Sequence, residues 1–329
     1  MNKSKRFLFV AIVAVVFNVT LFASGSQEEG SYILKVGTVL TENDPTYKGL
    51  LQFKNNVEKR TEKKIEVQLY SGAQLGSDED VLEQAKLGAG VGVITDPGRL
   101  SNYISDFGIL GGPYIAVDYD ESLKVMQTSV YREMEKQIED YGFKILSFNY
   151  FQGSRNLFTK NPVSSPSDLK GQRIRSSGGD IVTATLESLG ANTTVMPWSE
   201  AYQALQQKVI EGVEVHNSAA VGASIYEVTN YISETGHFQL LTGLVISNEW
   251  FKKLPEEYQT ILIEESFNAG SKASQEIVAK DKEYLQKCLD AGMELCEINK
   301  QEFINASKKA YEELGFEDMK NQIDKELGR

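Results

Sequence analysis

The chain has 329 residues, with 34 Lys and Arg against 46 Asp and Glu for a formal charge of −12, and it is 41% hydrophobic and 24% charged. That length supports two ordinary domains or one large one, and the balance excludes a disordered or collagen-like chain. The acidic excess leaves no cationic surplus to displace phosphate counterions or hold an anionic membrane surface, so no nucleic-acid partner is expected.

Lys3, Lys5 and Arg6 precede an apolar run from Phe7 to Phe22 that only Asn18 and Thr20 interrupt, and Ala23, Ser24 and Gly25 follow. This is the pattern of a secretory signal over residues 1–25, cleaved after Ala23 or Gly25. The 16-residue run falls short of the ~20 needed to span a bilayer. No cysteine follows it, which argues against a lipid anchor, and loss of its three cations deepens the charge to −15.

Strand and helix signals then alternate. Tyr32–Val39 reads as a strand, and Tyr47, Leu50, Leu51, Lys54 and Val57 fall at helical spacing within Thr46–Thr61. Ile65, Val67 and Leu69 alternate with polar residues as a half-buried strand. Asp78–Leu87 is predicted helical, and Val91–Thr95 a short buried strand stopped by Asp96-Pro97-Gly98. One helix is expected from an Asp120 cap through Leu123, Met126, Val130, Met134 and Ile138 to Gly142. After a strand over Lys144–Tyr150 comes a polar loop from Asn161 to Ser167. A short strand follows at Arg173–Arg175, helices at Asp180–Leu189 and Ser199–Lys208, and strands at Val213–His216 and Gln239–Ser247. From Pro255 to about Leu289 there is no further proline and only Gly270, behind the good N-terminus Leu254-Pro255-Glu256-Glu257. That predicts a helix of about 35 residues against a mean of about 11–12, long enough to run across two domains. The alternation as a whole predicts α/β layers.

The cysteines are Cys288 and Cys296, at neither redox-pair nor zinc-ligand spacing, placed where a helix turns into a short strand over Glu294–Ile298. Oxidising export allows a disulfide between them, and two buried thiols fit the same sequence. Chemistry is sparse elsewhere. There are two histidines, His216 and His237, and no metalloprotease, nucleophile-elbow, phosphate-loop or calcium-loop motif. Gly88, Gly90 and Gly92 lack the third glycine of a dinucleotide loop, where Val93 stands. No metal or cofactor is expected, and no residue pattern advertises catalysis. Thr95 and Asp96 end a strand, the place where α/β sheets open to ligands.

A run of motifs begins at Gly153-Ser154-Arg155. It continues through Asn161-Pro162-Val163, Asp168-Leu169-Lys170-Gly171-Gln172-Arg173-Ile174-Arg175 and Leu189-Gly190-Ala191. Met196-Pro197-Trp198-Ser199-Glu200, Tyr202-Gln203-Ala204-Leu205-Gln206 and Ile210-Glu211-Gly212 complete it. With Ala73-Gln74-Leu75-Gly76-Ser77 and Leu87-Gly88 upstream, and Trp250 and Leu254-Pro255 downstream, it resembles the substrate-binding protein of tripartite ATP-independent periplasmic (TRAP) transporters, of the dicarboxylate-binding type. The resemblance covers nearly the whole chain after the signal.

It implies a two-lobed α/β periplasmic binding protein fold with hinge strands and a lobe-spanning helix. Lobe one is expected over 26–152 and 241–280, lobe two over 153–240 and 281–329, with ligand between them. The implied partners are a small organic anion and a TRAP-type membrane permease, the location the periplasm, and the activity transport rather than catalysis. A ligand-sensing module for a receptor shares such a fold, and an exported α/β enzyme lacks an evident nucleophile. In the family the arginine matching Arg175 holds the ligand carboxylate, a fit to two parallel charge-assisted bonds from a planar guanidinium. Arg155 matches an assisting arginine, and Trp198 an aromatic that packs over ligand. Each residue also admits a structural reading, as an ion pair or a core aromatic. Just after Arg175, Ser176-Ser177-Gly178-Gly179-Asp180 opens a helix whose amides suit an anion.

One departure stands out. Where many members carry an asparagine that donates to the ligand, this chain reads Glu214-Val215-His216-Asn217, so Val215 takes its place and Asn217 substitutes only if the backbone shifts. An isopropyl group there, beside Trp198, points to an acid with an apolar or aromatic body rather than a sugar acid. His216 reads either as a pH-sensitive contact or as strand-end packing.

Overall fold

The computed structural model describes Ser31–Arg329. The expected signal over 1–25 lies outside the described residues. Strand β1 (Tyr32–Gly37) leads through helix α1 (Pro45–Arg60) to β2 (Ile65–Tyr70), which lies parallel to β1 with Tyr32 opposite Ile65. Helix α2 (Asp78–Lys86) starts on a capping box between Ser77 and Asp80, and β3 (Val91–Thr95) returns parallel to β1 on its other side. Buried Leu34, Val36, Ile65 and Val67 face Leu50, Phe53 and Val57 of α1, which is the helical spacing seen in the sequence put to use.

After a short α3 (Pro97–Leu100), the single helix expected from 120 to 138 is instead two. Helix α4 (Tyr119–Val125) is capped by Asp118, and α5 (Ser129–Gln137) is capped by Thr128, whose side chain accepts from the Tyr131 amide. The apolar spacing continues through the break, but a fresh threonine cap restarts the helix. Strand β4 (Phe143–Thr159) is 17 residues long, as is β8 (Tyr231–Ser247), and the two pair antiparallel throughout with register shifts, one of them between Phe151 and Gly153. Between them come β5 (Arg173–Ser176), α6 (Asp180–Ser188), β6 (Asn192–Val195), α7 (Trp198–Gln206), β7 (Gly212–His216) and α8 (Asn217–Gly222).

The sheet order is β2-β1-β3-β8-β4-β7-β5-β6. Two parallel ends, β2-β1-β3 and β7-β5-β6, are thus joined by the long antiparallel pair β8-β4. This is the two-lobed α/β frame that the resemblance implied. Helix α9 (Asn248–Lys252) leads to α10 (Glu256–Asp290), which has the expected 35 residues. Its first half packs Ile261, Leu262, Ala269 and Ala273 on the β1–β3 end, and its last turns bring Leu285, Cys288 and Leu289 to the β7 end. Polar stitches fasten it to β4. Ser274 Oγ accepts from the Phe151 amide at 2.7 Å, and Asn149 Nδ2 donates to Phe267 O at 2.8 Å.

Strand β9 (Glu294–Leu295) is shorter than expected and pairs with β8. Helices α11 (Lys300–Ser307), α12 (Lys309–Leu314) and α13 (Glu317–Leu327) cover the sheet's other face, where one apolar cluster runs on from Phe143 and Phe148 through Phe238 to Tyr311 and Ile323. Tyr311 Oη donates to Pro113 O at 2.8 Å, and Glu326 accepts from the Ser129 amide at 2.9 Å, so the C-terminal helices also hold the α4–α5 region. Both cysteines are free thiols, and burial pushes Cys288 up to about 11. No described helix is long and apolar enough to cross a membrane.

Candidate functional site

A cavity lies where the inner strand ends of the sheet's two parallel halves meet the middle of β4 and β8. Thr38, Val39 and Leu40 follow β1 into it, Ile94, Asp96 and Arg99 come from β3 and α3, and Asp78 opens α2. From the other end come Arg175 and Ser177 at β5, Trp198 at α7, Val215 and His216 at β7, and Ala219 in α8. Gln152 and Arg155 of β4, and Leu240 and Thr242 of β8, complete the lining.

The first end presents charges already matched to one another. Asp96 caps α3 by accepting from the Arg99 amide at 3.0 Å and also ion-pairs with the Arg99 guanidinium. Arg99 is buried, reaches Glu79 at 2.6 Å and lies 3.6 Å from Asp78. Despite burial these carboxylates hold the guanidinium more basic than usual, and Arg99 in turn keeps buried Asp96 below the ordinary carboxylate range. Asp78 is the less well served: burial raises it to about 6, against the opposing pull of Arg99.

The second end is not matched. Arg175 is 2% exposed, its Nε donates to Met196 O at 3.0 Å, and its Nη2 has no hydrogen-bond partner. The guanidinium carbon sits 5.5 Å from the centre of the Trp198 ring, at cation–π distance. Burial, with Arg155 and Arg99 adding like charge, pushes Arg175 down to about 9 although Glu214 and Asp96 oppose the fall. It is a cation at neutral pH in want of an anion.

Arg155 is spoken for by Glu214. Across the β4–β7 pairing its Nε and Nη2 hold the Glu214 carboxylate, and Nη2 also donates to Glu214 O at 2.8 Å. Burial raises the Glu214 carboxyl even so. His216 lines the cavity with both ring nitrogens unpartnered, and burial together with Arg155 pushes it down to about 3. Burial thus favours the neutral imidazole. His237 is likewise pushed down to about 3 by burial, Arg155 and Lys300.

Of the residues singled out in the sequence, Arg175, Arg155, Trp198, Val215 and Asp96 line this cavity, whereas Thr95 and Asn217 do not. Thr95 is buried at the end of β3 with its hydroxyl unpartnered. Asn217 instead accepts from Asn156 Nδ2 at 3.3 Å and donates to Asp281 on α10 at 3.1 Å. Ser177 does reach the cavity, and Gly179 packs so closely that an added Cβ would lie 2.6 Å from Gly98 O. Sequence reasoning missed Glu214, Asp78 and Arg99. Asp78 read only as the start of a helix and Arg99 lay just past a turn signal with no reading of its own, while Glu214 stood in plain view between Val213 and Val215, where a charge inside an apolar strand asks for a partner. Among the described residues no group of three or more His, Cys, Asp or Glu is placed to hold a metal ion.

Two parallel α/β ends, a long antiparallel pair between them and a charged cleft at their junction define a two-lobed solute-binding protein. The chain belongs to the bacterial extracellular solute-binding protein family 7, DctP, whose match spans residues 36–318. It is 26% identical over 290 residues, 88% of this chain and 86% of the relative, to the C4-dicarboxylate-binding periplasmic protein DctP of Rhodobacter capsulatus. Among solved structures it is similar to a TRAP periplasmic solute-binding protein of Escherichia fergusonii in an apo open form. That likeness is 35% identity with a TM-score of 0.78, covering 89% of this chain and 99% of the other. It is also similar to one from Ochrobacterium anthropi with bound L-fuconate, at 31% identity and a TM-score of 0.87, covering 91% and 100%. These are transport binding proteins of the TRAP type and extracytoplasmic, not enzymes.

Proposed function

We propose that this protein captures an organic carboxylate in the cleft and delivers it to a TRAP-type permease in the periplasm. The observation that carries the reading is Arg175, a buried guanidinium with an unpartnered nitrogen in the cavity wall. A carboxylate accepts in the plane of that group, and exclusion of water strengthens the pair. Arg155, already bound to Glu214, assists by field and by holding β7 in place. Trp198 stacks on the guanidinium and closes the pocket over the acid.

The lobes are proposed over 26–152 with 241–280 and over 153–240 with 281–329. The register shift between Phe151 and Gly153, opposite Leu241 and Leu240, supports a hinge at that point. Ligand drives closure only in so far as it binds the closed form more tightly. Val215, Leu40, Ile94 and Leu240 support an acid with an apolar or aromatic part to its body. Thr38, Gln152 and Thr242 add polar positions, which favours a second reading in which a hydroxylated acid is held, as the Ochrobacterium anthropi relative holds L-fuconate.

The test is to purify the mature protein without refolding, identify any acid it carries by mass spectrometry, and screen organic acids by thermal shift. A ligand at about 100 times its Kd adds about 2.7 kcal/mol of stability, which is readily seen. Stabilisation by a carboxylate that Arg175→Met abolishes is the expected result. If no acid stabilises the protein, the capture reading fails.

A further inference from the structure

His216 is left with nothing to bind. It ends β7, is 4% exposed and lines the cavity, yet neither ring nitrogen has a partner. Leaving a buried donor and a buried acceptor unmade is costly, so such a group in a binding cavity is matched by what enters it. The other histidine differs: His237 Nδ1 meets Thr235 Oγ1 at 2.7 Å, and it is not part of the cavity wall.

The backbone under His216 is tightly placed. His216 lies opposite Arg155 in the β4–β7 register, and nearby Gly153 has φ +120°, where an added Cβ would stand 3.2 Å from the His216 Cβ. Burial and the Arg155 charge keep the imidazole neutral, so one nitrogen donates and the other accepts. A carboxylate offers only acceptors. A hydroxyl offers both a proton and a lone pair.

Resting on the capture reading above, in which the acid group sits on Arg175, we propose that His216 is a specificity residue that hydrogen-bonds a hydroxyl of the captured acid. Val215 beside it stays apolar, so the hydroxyl is read by the ring and the remaining carbon skeleton by the valine wall. The captured acid is thus hydroxylated at one place and apolar at another.

The experiment titrates wild type and His216→Phe with pentanoate and with 2-, 3- and 4-hydroxypentanoate by calorimetry. The expected result is that one hydroxy acid binds wild type about tenfold more tightly than pentanoate, and that His216→Phe narrows the gap between the two to about twofold, whatever it does to pentanoate itself. With only two histidines in the chain, ¹⁵N-imidazole spectra of wild type give a readout that needs no variant. The His216 signals shift with the preferred hydroxy acid and not with pentanoate, while those of His237 stay in place. Acids that bind through Arg175 with no hydroxyl preference, or with a preference that survives in His216→Phe, overturn the His216 assignment and leave capture standing. If none of these four acids binds, the assignment of a solute of this kind to His216 falls, while capture is decided by the wider screen of organic acids.

Discussion

Arg99 and Arg175 are both buried arginines on one cavity, one at each parallel end of the sheet, yet their surroundings differ sharply. Arg99 has three carboxylates around it, and its basicity rises, whereas Arg175 has one carbonyl and a tryptophan face, and its basicity falls to about 9. A buried charge with its counter-ions built in is part of the scaffold. One without them is an unsatisfied demand that something from outside meets.

The largest effect expected is at the satisfied arginine. Arg99→Met leaves Asp78, Asp96 and Glu79 facing one another, and a urea melt of the free protein should show a loss of about 3–5 kcal/mol. A loss under about 1 kcal/mol would mean the cluster is not structural, and the contrast would collapse. Arg175→Met should do the reverse. The free protein keeps or gains stability, because an unpaired buried cation is gone, while calorimetry shows carboxylate binding weakened by about 2–5 kcal/mol.

The hinge strand between the two ends gives a third test. Ser274→Ala strands the Phe151 amide that Ser274 Oγ now satisfies, at a cost of about 1–3 kcal/mol in the free protein. If the cost is instead absent, β4 is not held by α10 at that point.

Acid gives the most graded test. His216 and His237 have folded pKa values pushed down to about 3 from an ordinary 6.5, so the unfolded chain binds protons there that the folded one refuses. Their stability contribution is full above about pH 6.5 and is lost as pH falls toward 3. Asp78 works the other way: raised to about 6 from 3.8, it takes up a proton on folding between those values and stabilises the folded chain as pH falls. Each group changes the slope by about 1.4 kcal/mol per pH unit. Urea melts between about pH 6 and 4 should therefore show a shallower acid loss in His216→Phe and a steeper one in Asp78→Asn.

What the sequence showed of this molecule was what short-range pattern controls. The 35-residue helix was legible because one glycine and no proline interrupt it. The cavity residues Arg175, Arg155 and Trp198 were legible because they sit in a recognisable run of motifs. The full lengths of β4 and β8 were not, because bulges at Ser147, Tyr150 and Gly153 break the alternation that marks a strand. The α4–α5 break had its signal in Thr128-Ser129, but unbroken apolar spacing from Leu123 to Ile138 hid it. Glu214 was visible as a charge in an apolar strand, but what it and Asn217 pair with was not. Their partners, Arg155 and Asp281, are fixed by pairing across the sheet and by the far end of α10.

The order of strands also sets the order in which the chain can settle. Gly92 of β3 pairs with Ile246 of β8, and β4 lies between β8 and β7, so neither central strand finds both neighbours until β8 has been made. The first three strands end on an open β3 edge that would invite pairing with another chain if they were left on their own. Contacts so distant in sequence close slowly. A chain cut before Tyr231 therefore lacks the strand that joins its two parallel ends, and each end is left with an unpaired edge.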